Sequence, residues 1–221
     1  MEILTMKNKP YIVALSLLVL LSAGCDWRGI RGNGTMKTEQ RPVTAFTRIE
    51  AGGFYGIQWQ PGPPSLSLTT DENLLSHIET SMSGSALKIE THGQIAPTHG
   101  VTVVITSPSL NGAELSGAVK LEAAQLSGDR FALDTSGATR VSLAGRANRL
   151  IASLTGASRL NAETFQAEDV EISVTGAGRA DVTATNSLKA AITGAGRVSY
   201  AGNPKSVEKK ITGAGKISPR D

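Results

Sequence analysis

"LTGASRL", Leu154 to Leu160, sets a hydroxyl, a glycine, an alanine and a cation between two leucines. Read alone it is a turn. Six near copies occur, with the hydroxyl at Ser116, Ser136, Thr155, Thr175, Thr193 and Thr212, spaced by 20, 19, 20, 18 and 19 residues. Glycine follows each time, at Gly117, Gly137, Gly156, Gly176, Gly194 and Gly213, and alanine follows the glycine. Four places after the hydroxyl stands a cation: Lys120, Arg140, Arg159, Arg179, Arg197 and Lys216. An apolar residue comes next, and alternate upstream positions are apolar too, as in Leu150/Ala152/Leu154 and Val170/Ile172/Val174.

Alternation of period two on both sides of a glycine reads as short strands around a corner. A repeat near 19 residues cannot bury its apolar face alone, so the copies must stack. Leucine-rich repeats have similar periods, but their asparagine and leucine pattern is missing. The spacing therefore predicts an all-β fold, a parallel β-solenoid with one coil per repeat. Coils about 4.8 Å apart align like positions into columns. Apolar columns fill the interior, and the glycines supply a backbone angle that a side chain would block. The Ser/Thr column is expected to pass hydroxyl hydrogen bonds from coil to coil.

Upstream of the repeats, "SALKIET" (85–91) and "GVTVVIT" (100–106) read as strands, being β-branched and alternating. "ENLLSHIETSM" (72–82) fits either a helical turn or a strand. The chain divides into a signal peptide at 1–24, a flexible tether at 25–42, an N-terminal β region at 43–112 and solenoid repeats at 113–218. The last two form one domain.

The start of the chain bears on location. Lys7 and Lys9 precede the apolar run "YIVALSLLVLL" (11–21), too short to span comfortably, and then "SAGC" ending at Cys25. This resembles a bacterial lipoprotein signal, in which the cysteine is lipidated and becomes the mature N-terminus. One departure is Ser22, where that signal favours leucine. Asp26 resembles an inner-membrane retention signal. The reading implies a membrane anchor through palmitate at Cys25 and a place in the bacterial cell envelope, on the periplasmic face of the inner or outer membrane. Cys25 is the only cysteine, which excludes an intrachain disulfide framework.

Composition excludes other classes. Hydrophobic residues make up 40% of the chain and aromatic ones only 4%, so the core is built from aliphatic layers. The net charge of +3 is not a nucleic-acid footprint, because no basic block with interleaved aromatics exists.

Together "FTRIEAGGFYGIQWQPG" (46–62), "TDENLLSHIET" (70–80), "LKIET" (87–91), "VTVVITSPSL" (101–110) and the iterated [ST]GA-x-[KR] motif resemble one family. It is the "putative auto-transporter adhesin, head GIN domain" family, a domain of unknown function in bacterial envelope proteins. The resemblance covers about Phe46 to Lys216. It implies a right-handed β-helix-like fold with N-terminal strands joined to it, and it implies no reaction and no catalytic residues.

The cation column is the most suggestive candidate site. Six Lys/Arg in register form a linear strip for an acidic glycan, a lipid head group or another envelope polyanion. Neighbours one coil apart repel by roughly 1 kcal/mol in water. The plainer reading of the column is a solubilising rim, whose stems cover the corner and whose charges discourage sheet aggregation.

A carbohydrate-active enzyme on a β-helix needs two carboxylates roughly 5–9.5 Å apart. Two places past the cation, the acids Glu122 and Asp181 stand three coils apart, on the order of 14 Å. Glu168 and Asp169 read as solvated turn charges. His92 and His99 lie in a Gly/Pro loop, and Trp59, between Gln58 and Gln60, reads as a core or capping side chain. No cofactor motif appears. The expectation is a non-enzymatic binding or adhesion surface, with a carbohydrate-active enzyme or a purely structural envelope module as alternatives. The last copy, "ITGAGKISPRD" (211–221), has little capping beyond Pro219, so self-association through an open end coil is a further expectation.

Overall fold

A computed structural model describes residues 29–220. The signal peptide expected at 1–24 and Cys25 lie outside the described residues. In chain order, β1 (Ile30–Arg31), β2 (Met36–Arg41), β3 (Arg48–Gly53), β4 (Gly56–Pro61) and β5 (Ser65–Asp71) precede a 3₁₀ turn, Glu72–His77. Next come β6 (Ile78–Ser83), β7 (Ala86–Thr91), β8 (Ile95–Ala96), β9 (Thr102–Ser107) and β10 (Gly112–Gly117). The repeats supply β11 (Lys120–Gly137), β12 (Arg140–Gly156), β13 (Arg159–Gly176) and β14 (Arg179–Gly194). The chain closes with β15 (Arg197–Ala201), β16 (Ser206–Gly213) and β17 (Lys216–Pro219).

Each long strand runs from one glycine corner to the next, and all of them pair in parallel. Like motif positions sit side by side: Thr155 opposite Thr175, Gly156 opposite Gly176, Arg159 opposite Arg179. The fold is thus a parallel β-solenoid. Midway along, the register slips between Ala123 and Leu126, between Ser142 and Gly145, and between Ala162 and Gln166. There the coil makes its second bend.

Interior columns alternate large and small side chains, so that neighbouring coils interlock. One column reads Ala113, Leu133, Ala152, Ile172, Ala190, and its neighbour reads Leu115, Thr135, Leu154, Val174, Ile192. Where the first position is alanine, the second is a leucine or isoleucine. Every one of these residues is buried, and each large one contributes roughly 1.5–3 kcal/mol by leaving water. Phe131 and Phe165 add a tilted ring pair with centroids 6.1 Å apart.

The solenoid begins well before residue 113. β10 pairs in parallel with β3, Gly117 opposite Gly53, and β11 pairs with β4, Lys120 opposite Gly56. β3 and β4 pair in turn, again in parallel, with β7 and β9. "AGGFYG", Ala51–Gly56, is therefore a degenerate copy of the corner motif, with Tyr55 in the place of Val119. The expected boundary at 113 is corrected accordingly.

The tether expected at 25–42 is also corrected, because residues 30–41 are built into the fold. β1 pairs with β8, and β2 runs antiparallel to β5, which runs antiparallel to β9. β2 is anchored by Arg41, whose guanidinium donates to the carbonyls of Ile78 (2.5 Å) and Leu75 (2.8 Å) and meets Glu39 at 2.7 Å. The preceding loop is pinned by Asp71. Its fully buried carboxylate accepts hydrogen bonds from Gly34 N at 2.7 Å, Thr98 N at 2.8 Å and Thr98 Oγ1 at 2.7 Å. A side chain at residue 32 would meet that carboxylate at 2.3 Å, so the close approach requires Gly32. Polar, glycine-containing sequence resembles a linker, yet here its backbone finds strand partners and a buried acid. The ambiguous 72–82 stretch is both things in turn, a 3₁₀ turn over buried Leu74 and Leu75 followed by β6.

Candidate functional site

The six corner glycines have φ between 86° at Gly117 and 118° at Gly194, the left-handed region that side chains disfavour. A Cβ on Gly156 would lie 2.7 Å from the carbonyl oxygen of Gly137, directly in the coil-to-coil path. Two backbone hydrogen bonds then carry the corner from coil to coil. Ala157 N donates to Gly137 O at 2.8 Å, and Arg159 N donates to Thr139 O at 2.9 Å. The same pair recurs one coil on, from Ala177 N to Gly156 O and from Arg179 N to Ser158 O, each at 2.9 Å.

This corrects the expected hydroxyl ladder. Ser116, Ser136, Thr155, Thr175, Thr193 and Thr212 are exposed, and among the described residues none of their hydroxyls makes a hydrogen bond to another coil. The stacking is carried by the backbone.

The unassigned x of [ST]GA-x-[KR] points inward, a feature the sequence reading missed. Its column runs Val119, Thr139, Ser158, Gly178, Gly196, Gly215. The residue is glycine where it packs against Val174 or Ile192. A Cβ on Gly196 would sit 2.7 Å from Val174 Cγ1, and one on Gly215 would sit 2.5 Å from Ile192 Cγ2. The signal was present in the change from "GAS" to "GAG". Ser158 Oγ donates to Thr155 O at 3.1 Å, whereas the buried Thr139 Oγ1 has no partner.

With the backbone pinned and the x residue inside, the cation is forced outward. The ladders place Lys120, Arg140, Arg159, Arg179, Arg197 and Lys216 in one continuous column, all exposed. Lys120 pairs with Glu122 at 2.6 Å. Among the described residues, no carboxylate forms an ion pair with the other five. Elsewhere pairing is common: Lys37 with Glu72 at 2.7 Å, Lys88 with Glu90 at 2.9 Å, Arg220 with Glu163 at 2.8 Å. The flanking column offers mostly neutral polar groups, Ser142, Asn161, Ser199 and Ser218, with Glu122 and Asp181. A charged row bordered by hydroxyls and amides can hold the anionic groups of an extended ligand and hydrogen-bond its neutral ones.

Acids gather on the other side of the corner. Glu50, Glu114 and Asp134 occupy one column on successive coils, which the sequence reading also missed because Glu50 precedes the recognised repeats. Arg48 lies against two of them, 3.1 Å from Glu114 and 3.7 Å from Glu50. Glu50 and Glu114 border a hollow of about 140 Å³ with Lys88 and Glu90. The register keeps Glu122 and Asp181 three coils apart.

A second hollow of about 270 Å³ lies at the other bend, lined in part by Arg146, Asn148, Gln166 and Glu168. Asp169 nearby accepts from Ser187 Oγ at 2.5 Å and Asn186 Nδ2 at 2.9 Å. Those bonds, with the charge of Arg149, hold its carboxyl below the usual carboxylate range against the opposing effect of burial. His92 meets Glu79, and His99 Nδ1 lies 2.9 Å from Thr98 Oγ1. Among the described residues no cluster of three His, Cys, Asp or Glu could hold a metal ion. Trp59 is buried, its Nε1 donating to Ser107 Oγ at 3.0 Å, so it is a core side chain rather than a sugar platform.

Residues 45–204 match the family described as "Putative auto-transporter adhesin, head GIN domain". No curated protein sequence matches the chain. Among solved structures it is similar to "a putative adhesin" from Bacteroides fragilis, at 23% identity and TM-score 0.72 over 87% of this chain and 100% of that one. It is also similar to "a putative adhesin" from Parabacteroides merdae, at 21% identity and TM-score 0.56 over 87% of this chain and 99% of that one. A "putative lipid binding protein" from Parabacteroides distasonis gives 20% identity and TM-score 0.55 over 88% of this chain and 100% of that one. At these identities the likeness is one of fold.

Proposed function

The chain belongs to the "Putative auto-transporter adhesin, head GIN domain" family, and from that premise we propose that it is a lipid-anchored, non-enzymatic envelope protein whose solenoid binds an acidic polymer along its cation column. An adhesin-like β-solenoid fits a binding or adhesion role. The observation that carries the finer reading is the run Arg140, Arg159, Arg179, Arg197 and Lys216, in register and without a carboxylate partner among the described residues. A rim serving only solubility would tolerate alternating signs, as the acid–base pairs elsewhere on the surface do. Guanidinium groups also suit carboxylate, sulfate or phosphate in paired hydrogen bonds.

The test is binding of a panel of acidic polysaccharides to the exported domain by calorimetry. Changing Arg140, Arg159 and Arg179 together to Ser is expected to abolish binding and leave the melting point within about 2 °C, since exposed charges contribute little to stability. Undiminished binding by that variant would sink the proposal.

The anchor is read from "SAGC" and Cys25, and that reading supports a position on the periplasmic face of a bacterial membrane. Labelled palmitate is expected to enter the wild-type chain and not a Cys25→Ala chain. Equal labelling of both would remove the anchor.

A further inference from the structure

The terminal coil carries the whole net charge of the protein. Residues 201–221 contain Lys205, Lys209, Lys210, Lys216 and Arg220 against Glu208 and Asp221, a net of +3. The chain as a whole has 22 basic and 19 acidic residues, so the rest holds seventeen of each sign. The molecule is therefore electrically lopsided along its axis.

Among the described residues, no further strand covers this end. All eight residues of β16 are exposed. Val207 and Ile211 stand opposite Leu188 and Ile192, so they continue interior columns, yet they are 37% and 45% exposed. Lys209 stands opposite the buried Ala190 and arches over the end, its ammonium 5.0 Å from the Tyr200 ring centre. The result is an apolar floor of Val207, Ile211 and Tyr200 overlaid and bordered by cations.

Cations beside shallow apolar side chains are what an anionic bilayer surface selects, through charge and partial burial together. A second copy fits less well. Two such ends repel, and the acids at the opposite end already have partners: Glu72 with Lys37, Glu39 with Arg41, Glu79 with His92. A soluble polyanion would use the charge and leave the apolar floor in water. We propose that the C-terminal end of the solenoid docks on an anionic lipid surface, with Lys205, Lys209 and Lys210 at the headgroups and Val207 and Ile211 at the acyl boundary. This site is separate from the cation column except at Lys216, which the test leaves intact.

The experiment is co-sedimentation of residues 25–221, carrying Cys25→Ser, with vesicles of phosphatidylcholine alone or mixed with phosphatidylglycerol. Binding is expected only to the mixed vesicles, falling as salt rises. Changing Lys205, Lys209 and Lys210 together to Gln weakens it on the order of 100-fold, about fivefold per lysine. Val207→Ser with Ile211→Ser also weakens it, whereas the Arg140, Arg159 and Arg179 triple variant binds like wild type. Equal binding to both vesicle types, insensitivity to salt, or an unaffected lysine variant overturns the proposal. So does a concentration-dependent dimer that leaves vesicles unbound. Should the lysine variant lose its β-sheet circular dichroism, the wild-type contrast between vesicle types decides.

Discussion

The two ends of this stack are finished differently. At the N-terminal end β6 closes the edge of β7, while β5 and then β2 close the edge of β9, all in antiparallel register. The 3₁₀ turn buries Leu74 and Leu75 there, and Asp71 fastens the entering chain. At the C-terminal end, no further coil covers the last one among the described residues. β16 has one neighbour in the sheet, and a single lysine lies across the exposed floor. A periodic sequence can extend a stack but cannot end it, because the next coil is always the best cover for the last. Ending one requires aperiodic sequence, and β2, β5 and β6 supply it at the N-terminal end.

The largest expected effect comes from breaking a corner inside the stack. Gly156→Val meets both the left-handed backbone and the Gly137 carbonyl, and should cost roughly 3–5 kcal/mol from the strain and overpacking combined. Gly213→Val has a similar local geometry but only the terminal coil to disrupt, so that coil can fray and the cost should be smaller. Thermal unfolding by circular dichroism distinguishes them, and equal losses would mean that the last coil is as cooperative as the middle.

A smaller contrast lies in the two apolar ends. Leu74→Ala removes a fully buried side chain and should cost about 3 kcal/mol. Ile211→Ala should cost under about 1 kcal/mol, since that side chain is still 45% exposed. Urea titration reads both, and a large Ile211 effect would show that the end is covered in solution.

Between the ends, Thr139→Val should raise stability by about 1 kcal/mol, because it replaces a buried hydroxyl that has no partner with a side chain of the same shape. A loss of stability in the same titration would show that the hydroxyl has found a bound water.

Acid should loosen the N-terminal cap. Burial raises the Asp71 carboxyl, but hydrogen bonds from Thr98 and Gly34 more than offset this and hold it below its ordinary value. Its contribution is therefore complete above the unfolded-state value of about 3.9 and is lost as pH falls through the lower folded value. Asp71→Asn should flatten part of the decline in melting point below about pH 4. Asp169 is lowered in the same direction and leaves the remainder. An unchanged acid slope in Asp71→Asn would break this account of the cap.

Much of this fold was legible because repetition multiplies weak signals. One "LTGASRL" is a turn, whereas six at nearly fixed spacing dictate stacking, the glycine corner and the outward cation. Legibility failed where the repeat degrades. "AGGFYG" keeps only its second glycine in register with the corner, so by sequence the coils built from β3, β4, β7 and β9 resemble strands joined to a solenoid rather than part of it. It failed too at Met36–Arg41, where polar residues looked like a tether. Whether such a segment is a strand depends on a partner edge supplied from about thirty residues away.

Local sequence thus settled the period, the sign of the cation column and the position of the glycine corner, since these follow from alternation and from residues that tolerate one backbone angle. Tertiary structure decided the rest. Which residues turn inward at x, which acids lie beside Arg48, where the stack begins and how its N-terminal end is closed all depend on coil-to-coil register. That register is a property of neighbours distant in sequence, and no single repeat contains it.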